Sequence, residues 1–179
     1  MANILILYST TDGHTKKICQ KIQSVVETQG HEVKLVSIDD ESHVNIVLFD
    51  KIVVGASIRY GKHNKKVFDF VLRNEEILEN KSSAFFSVNV VARKPDKNQP
   101  DNNPYVRKFL KQVPWCPDEV AVFAGKIDYR KYGFFDRLMI RFIMYITNGP
   151  TDPGTVAEFT DWEQVGKFGR AVSEMQGNK

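Results

Sequence analysis

A hydroxyl-rich segment near the start of the chain has the composition of a phosphate-binding loop. It separates an apolar run at residues 4–8 from an amphipathic segment at residues 18–26. Hydroxyl groups, a glycine turn and the free N–H groups of a helix start favour an anion. The segment lacks the Walker lysine and the three-glycine dinucleotide fingerprint, so one terminal phosphate monoester fits best. The candidate residues are Ser9, Thr10, Thr11, Asp12, Gly13, His14 and Thr15.

Asp12 is the awkward member of this loop, because a carboxylate beside a phosphate is repulsive. We therefore expect Asp12 to point away from the ligand and to cap the following helix. The same residues also fit a turn that only caps a helix. Taken alone, the loop leaves both interpretations open.

Two later loops have residue types that suit a planar ring. Small residues at the start of the first loop allow close approach, Tyr60 can stack on the ring, and Arg59 can balance negative charge. The second loop can supply backbone hydrogen bonds to a ring edge. Each loop also fits an ordinary exposed turn. The residues concerned are Ala56, Ser57, Ile58, Arg59, Tyr60 and Gly61 in the first loop, and Ser87, Val88, Asn89, Val90, Val91, Ala92 and Arg93 in the second.

The elements that must position these loops alternate between strand and helix. Short, continuous apolar runs are typical of buried parallel strands, and helical periodicity separates them. We predict an α/β fold, in which a five-stranded parallel sheet carries helices on both faces. Ligands of such sheets bind beyond the carboxyl ends of the strands, where all three loops lie. The predicted strands are residues 4–8, 33–38, 51–56, 83–88 and 120–124, and the predicted helices begin near residues 15, 64, 103 and 160.

Composition narrows the class of protein further. With 179 residues, 42% of them hydrophobic and 26% charged, the chain fits one globular domain over residues 1–179. Its two cysteines are far apart, which favours neither a disulfide scaffold nor a metal site. The four histidines are scattered, so we expect surface residues, with His14 and His63 kept as minor candidates for proton transfer. We predict no secretory signal and no membrane span.

A basic, aromatic segment after the fifth predicted strand departs from this pattern. Residues 93–141 carry 11 basic and 6 acidic side chains, net +5. Within an insertion at about residues 126–155, apolar residues at helical spacing predict a helix over residues 134–147. That helix is roughly 21 Å long, too short to span a bilayer, and suits the membrane interface. Packing of the apolar stripe on the sheet, a dimer interface and nucleic-acid stacking are the alternatives, and we expect no nucleic acid.

Several long motifs in the same order resemble the family of flavodoxin-like protoporphyrinogen IX dehydrogenases of haem biosynthesis. The motifs are STTDGHT (residues 9–15), GASIRYG (55–61), SVNVVARKP (87–95), FFDRLMIRFIM (134–144) and TDWEQV (160–165). The resemblance implies that the first loop holds the phosphate of FMN and that the other two flank its isoalloxazine ring. It also implies an oxidoreductase that passes electrons from protoporphyrinogen IX to menaquinone or ubiquinone. Such an enzyme would lie peripherally on the cytoplasmic side of the inner (plasma) membrane of a bacterium, through about residues 126–147.

The substrate implied by this resemblance carries propionate groups, which basic residues can bind by charge-assisted hydrogen bonds. No side chain is identified as a catalytic base, and a homo-oligomer stays open. Three other functions remain: a flavodoxin-type electron carrier, an NAD(P)H–quinone reductase, and a membrane-bound interaction module with an empty pocket. The candidate substrate residues are Arg59, Arg93, Arg130 and Arg137.

Overall fold

The apolar runs form a central parallel sheet in the computed structural model, which describes residues 1–176. In spatial order the sheet is β2–β1–β3–β5–β6, and β4 adds a two-residue antiparallel arm to β3. The five parallel strands that we expect are therefore confirmed. The strands are β1 (Asn3–Ser9), β2 (Glu32–Ser37), β3 (Lys51–Arg59), β4 (Lys62–His63), β5 (Ser82–Asn89) and β6 (Glu119–Ala124).

Helices cover both faces of this sheet. One buried cluster joins α1 and α6 to side chains such as Ile6 and Phe86, and the other joins α2, α3 and α4 to side chains such as Leu7 and Phe85. Alternate residues of each strand point to opposite faces, which explains why the strands read as continuous apolar runs. The helices are α1 (His14–Thr28), α2 (Lys65–Arg73), α3 (Glu75–Asn80), α4 (Pro104–Gln112), α5 (Phe134–Ile146) and α6 (Trp162–Glu174).

The strand order reverses between β1 and β3. The chain leaves β1 toward β2 on one side, and leaves β3 toward β5 and β6 on the other. Beyond the carboxyl ends of these two strands the connecting segments diverge and leave a crevice, which is where open α/β sheets bind ligands. The three predicted loops follow β1, β3 and β5 and surround this crevice.

Some local features differ from the sequence prediction. The helix expected from Asn64 to Leu78 is two helices, because the chain breaks at Asn74, whose side chain bonds back to the Phe70 carbonyl. Residues 38–48 form two 3₁₀ turns. Inside the insertion, β7 (Lys126–Asp128) pairs antiparallel with β8 (Val156–Glu158), which brings the two ends of the insertion together.

Candidate functional site

A cleft of about 410 Å³ lies at the crevice. Its volume falls in the range typical of small-molecule and cofactor sites. All three predicted loops line the cleft, and helix α5 from the insertion forms a further wall. Four of the predicted cofactor-binding residues are buried and do not line the cleft: Ser9, Ala56, Ser87 and Ala92.

One end of the cleft is the loop between β1 and α1. Gly13 has a φ of 82° and precedes α1, and no side chain caps that helix. The amide of Gly13 donates to Thr10 Oγ1 at 3.0 Å, which folds the hydroxyl loop back on itself. The expected capping by Asp12 is wrong, because Asp12 is exposed and α1 begins without a side-chain cap. An uncapped helix start surrounded by hydroxyls retains the donors that a phosphate needs.

His14 adds an unusual group to this end of the cleft. Its Nε2 lies 2.6 Å from Thr160 Oγ1, and the Thr160 hydroxyl donates to the Ala124 carbonyl at 2.7 Å. Because a hydroxyl carries one hydrogen, we assign the proton of the neutral imidazole to Nε2. Nδ1 is then a buried acceptor, and no partner for it is found within residues 1–176. Burial lowers the pKa of His14. The loop therefore fits an anionic group through backbone and hydroxyl donors, with a neutral imidazole beside them.

The second loop is a tight hairpin between β3 and β4. Arg59 pairs with Lys62, and both intervening residues have positive φ, 51° for Tyr60 and 73° for Gly61. This geometry is that of a two-residue turn that suits glycine and asparagine better than tyrosine. Ile58 and Tyr60 line the cleft, and the Tyr60 side chain stays largely exposed. The hairpin can therefore present a tyrosine ring beside a planar ligand.

The third loop is braced by a pair of buried amides. Asn89 Oδ1 accepts from the Ala92 amide at 3.0 Å, and the side chains of Asn89 and Asn103 bond each other. Asn103 in turn caps α4 by accepting from Tyr105 and Val106. Val88, Val90, Val91 and Arg93 line the cleft beside Asn89. This loop offers a rigid, mainly backbone edge to a ligand.

His63 lies under the third loop, contrary to the expectation of a surface residue. It is buried, and its Nε2 lies 2.9 Å from Ser87 Oγ, which accepts a hydrogen bond from Asn89 Nδ2. The rings of Phe85 and Phe109 pack edge-on against it. Burial lowers the pKa of His63 to about 4, so it is neutral at pH 7. Since His63 does not line the cleft, it supports the loop rather than touching a ligand.

Helix α5 contributes residues of the insertion to the cleft. The predicted helix is confirmed, and it ends one residue earlier than expected. Met139, Ile140, Ile143 and Met144 line the cleft, and Met144 is the one buried residue of α5. The outward residues are not packed on the sheet, which excludes that alternative for the apolar stripe. Its strongly exposed members are Phe134, Phe135, Leu138, Phe142, Tyr145 and Ile146.

The four candidate arginines all have protein partners. Arg59 pairs with Asp136 of α5, and Arg130 pairs with Asp128. Arg137 donates to the carbonyls of Tyr129 and Tyr132, and it does not line the cleft; nor does Arg130.

Arg93 donates to the carbonyl and hydroxyl of Thr147, at 2.8 and 2.9 Å. Arg59 and Arg93 both line the cleft, whereas the structure places the other two candidate arginines outside it. A substrate role for any of the four stays a prediction.

Sequence reasoning missed several residues of the wall. Asp136 lies in the first turn of α5 and contacts Arg59, which is 77 positions away in the sequence. A local sequence pattern cannot predict a contact over that separation. The apolar residues of α5 were visible as a stripe, but their spacing does not indicate that one side of the helix faces the cleft. The other unpredicted lining residues are Lys17, Tyr105, Gly125, Lys126, Ile127, Asp128, Lys131 and Tyr132.

Among the helices described within residues 1–176, none has the length and apolar character needed to cross a bilayer.

Comparison with known sequences identifies a domain family and several named relatives. The model of the flavodoxin domain family matches residues 5–154. The protoporphyrinogen IX dehydrogenase [quinone] of Escherichia coli (strain K12) is 40% identical over 171 residues, covering 96% of this chain and 94% of that protein. The protein of the same name from Leishmania major is 44% identical over 165 residues, covering 92% of this chain and 71% of that protein. Since the relatives include a non-bacterial one, bacterial origin stays a prediction.

Comparison with solved structures supports the fold. Oxidised flavodoxin 1 from Bacillus cereus superposes with a TM-score of 0.57, at 16% identity, over 97% of this chain and 99% of that chain. The two-electron reduced flavodoxin of Megasphaera elsdenii also gives a TM-score of 0.57, at 13% identity, over 96% of this chain and 99% of that chain. At this identity the likeness concerns the fold alone.

Proposed function

Because the chain belongs to the flavodoxin domain family, we propose that it is an FMN-dependent oxidoreductase that converts protoporphyrinogen IX to protoporphyrin IX and passes the electrons to a quinone. The similarity that carries this proposal is 40–44% identity, over nearly the whole chain, to relatives named for that reaction. The reaction belongs to haem biosynthesis. The fit of the cleft to a flavin phosphate at one end and an apolar ligand at the other is the independent support.

The flavin end of the cleft has the donor set for FMN. The loop of residues 9–15 can bind the phosphate through its hydroxyl groups and through the backbone N–H groups at the uncapped start of α1. Among its side chains, His14 is the one that can carry a positive charge. The hairpin of residues 56–61 and the loop of residues 87–93 would flank the ring. Asn89 and Asn103 hold the last of these loops rigid, which limits the reorganisation needed on binding.

A glycine pair tests this assignment of the phosphate loop. Gly13 and Gly30 have nearly equal φ values, 82° and 83°, and an added Cβ at either position meets no atom within 4 Å. Gly13→Val and Gly30→Val therefore carry similar backbone strain, but only Gly13 lines the cleft. We expect Gly13→Val to weaken FMN binding much more than Gly30→Val, as measured by quenching of flavin fluorescence. Riboflavin, which lacks the phosphate, should bind the two variants equally; equal losses of FMN affinity would refute the assignment.

Bound FMN would accept two electrons in each round, so removal of six electrons from the porphyrinogen needs three rounds. The residues of the chain bind and orient the reactants and exclude water. Met139, Ile140 and Ile143 of α5 offer an apolar surface to the macrocycle in the same cleft as the loops that would hold the flavin. Lys17, Lys126 and Lys131 line the same cleft and can attract propionate groups. Arg59, with a half-exposed guanidinium, remains a candidate for such a contact.

The outer face of α5 suits the surface of a membrane, where a quinone is dissolved. Phe134, Phe135, Leu138 and Phe142 expose apolar rings and chains on one side of a helix too short to span a bilayer. Residues 93–141, which include the first half of α5, have an excess of basic side chains, and this positive charge attracts anionic headgroups. We propose that α5 inserts its outer face into the cytoplasmic surface of the membrane that carries menaquinone or ubiquinone.

Quinone-dependent turnover tests the proposed reaction against its rivals. Under anaerobic conditions, the FMN-loaded protein with protoporphyrinogen IX and a quinone should form fluorescent protoporphyrin, and omission of the quinone should stop turnover. An NAD(P)H–quinone reductase would instead reduce the quinone with NADH or NADPH and leave porphyrinogen untouched. A flavodoxin-type carrier would show neither reaction at a catalytic rate. Quinone reduction by NADH or NADPH with the porphyrinogen left untouched would contradict the proposal, and so would the absence of both reactions.

A further inference from the structure

The hairpin of residues 56–61 and the loop of residues 87–93, which we call the flavin loops, hold helix α5, one at each end of the helix. At the start of α5, the carboxylate of Asp136 accepts from Arg59 Nη2 at 2.7 Å and from the hydroxyl of Tyr60. At the end of α5, Arg93 donates to the carbonyl and hydroxyl of Thr147. Each contact joins the insertion to a loop that flanks the proposed flavin ring. We call the contact of Asp136 with Arg59 and Tyr60 the Asp136 clasp.

The hairpin of the second loop has an uncommon backbone conformation at Tyr60. Tyr60 has a φ of 51°, a region that L residues with bulky side chains rarely adopt. The Arg59 guanidinium lies over the Tyr60 ring, 5.2 Å from its centre, and both side chains bond to the Asp136 carboxylate. Asp136 thus stabilises an unusual turn and fixes the direction of the Tyr60 ring beside the cleft.

The two ends of α5 differ in how firmly they are held. The Arg93 contact is partly buried, and Arg93 also donates to the Val90 carbonyl and lies against the Phe159 ring. The Asp136 clasp is more open to solvent, since the Arg59 side chain is 49% exposed. Exposed charge pairs are weaker than buried ones. The start of α5 is therefore the end that can move more easily relative to the flavin loops.

The residues of α5 between these ends form the apolar wall of the cleft. Met139, Ile140 and Ile143 lie on the cleft side, and Met144 is the one residue of α5 that is buried. Ile140 and Met144 pack in a small apolar cluster that includes Val90 of the third loop, and the polar contacts at the two ends of α5 add to this packing in holding the wall relative to the loops. A shift of the start of α5 would widen or close the space beside Tyr60.

We propose that Asp136 is a positioning residue that fixes the inner face of α5 over the flavin loops and thereby sets the affinity for the tetrapyrrole. This inference rests on the proposed function. Asp136 need not touch the substrate, because it acts through Arg59, Tyr60 and the placement of Ile140 and Ile143. The rival interpretation is that Asp136 occupies an anion site which a propionate group would otherwise use, so that Asp136 competes with the substrate for Arg59.

The two interpretations predict opposite effects of neutralising Asp136. In the FMN-loaded protein, Asp136→Asn should raise the KM for protoporphyrinogen IX, and the Kd for the product protoporphyrin IX, by about two- to fivefold, as expected for the loss of a solvent-exposed charge pair. The value of kcat should change much less. Asp136→Glu, which keeps the carboxylate, should recover part of the loss. A lower KM in Asp136→Asn would overturn the proposal in favour of competition.

Matched variants separate the clasp from a general effect of charge. Tyr60→Phe removes only the hydroxyl, and its effect combined with Asp136→Asn should be smaller than the product of the single effects, because both changes break one contact. Asp69→Asn is the control, since it breaks an ordinary surface pair with Lys65 on α2, outside the cleft. Asp69→Asn should leave KM and product binding unchanged. Independent, multiplying effects of Tyr60→Phe and Asp136→Asn would contradict the clasp.

Flavin binding provides the readout that does not depend on turnover. The FMN Kd of Asp136→Asn, from flavin fluorescence, should rise by a clearly smaller factor than the KM, because Asp136 contacts one of the three loops that would hold FMN. A loss of FMN affinity as large as the rise in KM would overturn the proposal, since Asp136 would then act on the cofactor. If the unmodified protein bound no protoporphyrin and oxidised no porphyrinogen, the proposed function would fail. Normal activity of that protein with an unchanged KM in Asp136→Asn would refute the clasp alone.

Discussion

Replacing three outward residues of α5 by serine should release the protein from membranes without unfolding it. Phe135, Leu138 and Phe142 form the centre of the outer face and are 79%, 57% and 64% exposed. Since none of them packs in the core, each substitution should change the free energy of unfolding by no more than about 0.5 kcal/mol. The triple variant should therefore keep its fold and its FMN.

The size of the effect follows from the area available for burial. Full burial of a phenylalanine or leucine side chain contributes about 1.5–3 kcal/mol. Scaled by the three exposed fractions, insertion of these side chains contributes about 3–6 kcal/mol. Each 1.4 kcal/mol is a factor of ten, so the membrane partition coefficient should fall by about a hundredfold to ten-thousandfold.

Liposome sedimentation measures this directly. Vesicles that contain an anionic phospholipid are mixed with FMN-loaded protein, and the bound fraction is read from flavin absorbance in the pellet. The matched control is the triple variant Val47→Ser, Leu48→Ser, Leu72→Ser, which removes exposed apolar side chains of other elements. Added salt should weaken binding of the unmodified protein in part, because basic residues of the insertion contribute an electrostatic share.

We expect the control variant to stay bound to the vesicles. If the α5 variant sedimented with vesicles as well as the unmodified protein does, the outer face would have no role at the membrane. If both triple variants lost binding equally, general surface hydrophobicity would be the cause.

Two further predictions concern residues that support the site. Burial lowers the pKa of His63 from 6.5 to about 4, so the unfolded chain binds the extra proton between these pH values. The His63 contribution to the free energy of unfolding should therefore be complete above pH 6.5 and fall by up to about 3 kcal/mol toward pH 4. Urea titrations should show a weaker dependence in His63→Gln, and an identical dependence would contradict the burial argument. Gly55→Ala places a Cβ 2.2 Å from Phe86 Cζ and should lower the free energy of unfolding by about 1–3 kcal/mol; an unchanged urea midpoint would show that Phe86 yields without cost.

The sheet and the loops could be predicted from the sequence because their signals are local. Continuous apolar runs such as residues 51–56 report a strand buried on both faces, and the hydroxyl segment of residues 9–15 lies between a strand and a helix. The parallel order of the strands then places all the loops at one edge. Helix α5 was also visible, since its apolar spacing spans residues 134–146.

The contacts that assemble the site could not be predicted, because they join distant positions. The burial of His63 depends on the two-residue strand β4, which brings the ring beneath Ser87. The pairing of Arg59 with Asp136 depends on the path of the whole insertion. Charge patterning suggested that the arginines were available to a substrate, whereas the fold gives each of them a protein partner. The type of a residue indicates which groups its side chain can bind, whereas the fold determines which of those groups lies within reach.

Reduction of the bound flavin by the porphyrinogen is the most direct test of the account. Protoporphyrinogen IX is added without oxygen and without quinone to the FMN-loaded protein, and flavin absorbance and porphyrin fluorescence are followed together. We expect rapid flavin bleaching, with one protoporphyrin formed for about three FMN reduced, because each FMN takes two of the six electrons. A flavin spectrum that stays oxidised, both in solution and with liposomes present, would contradict the account.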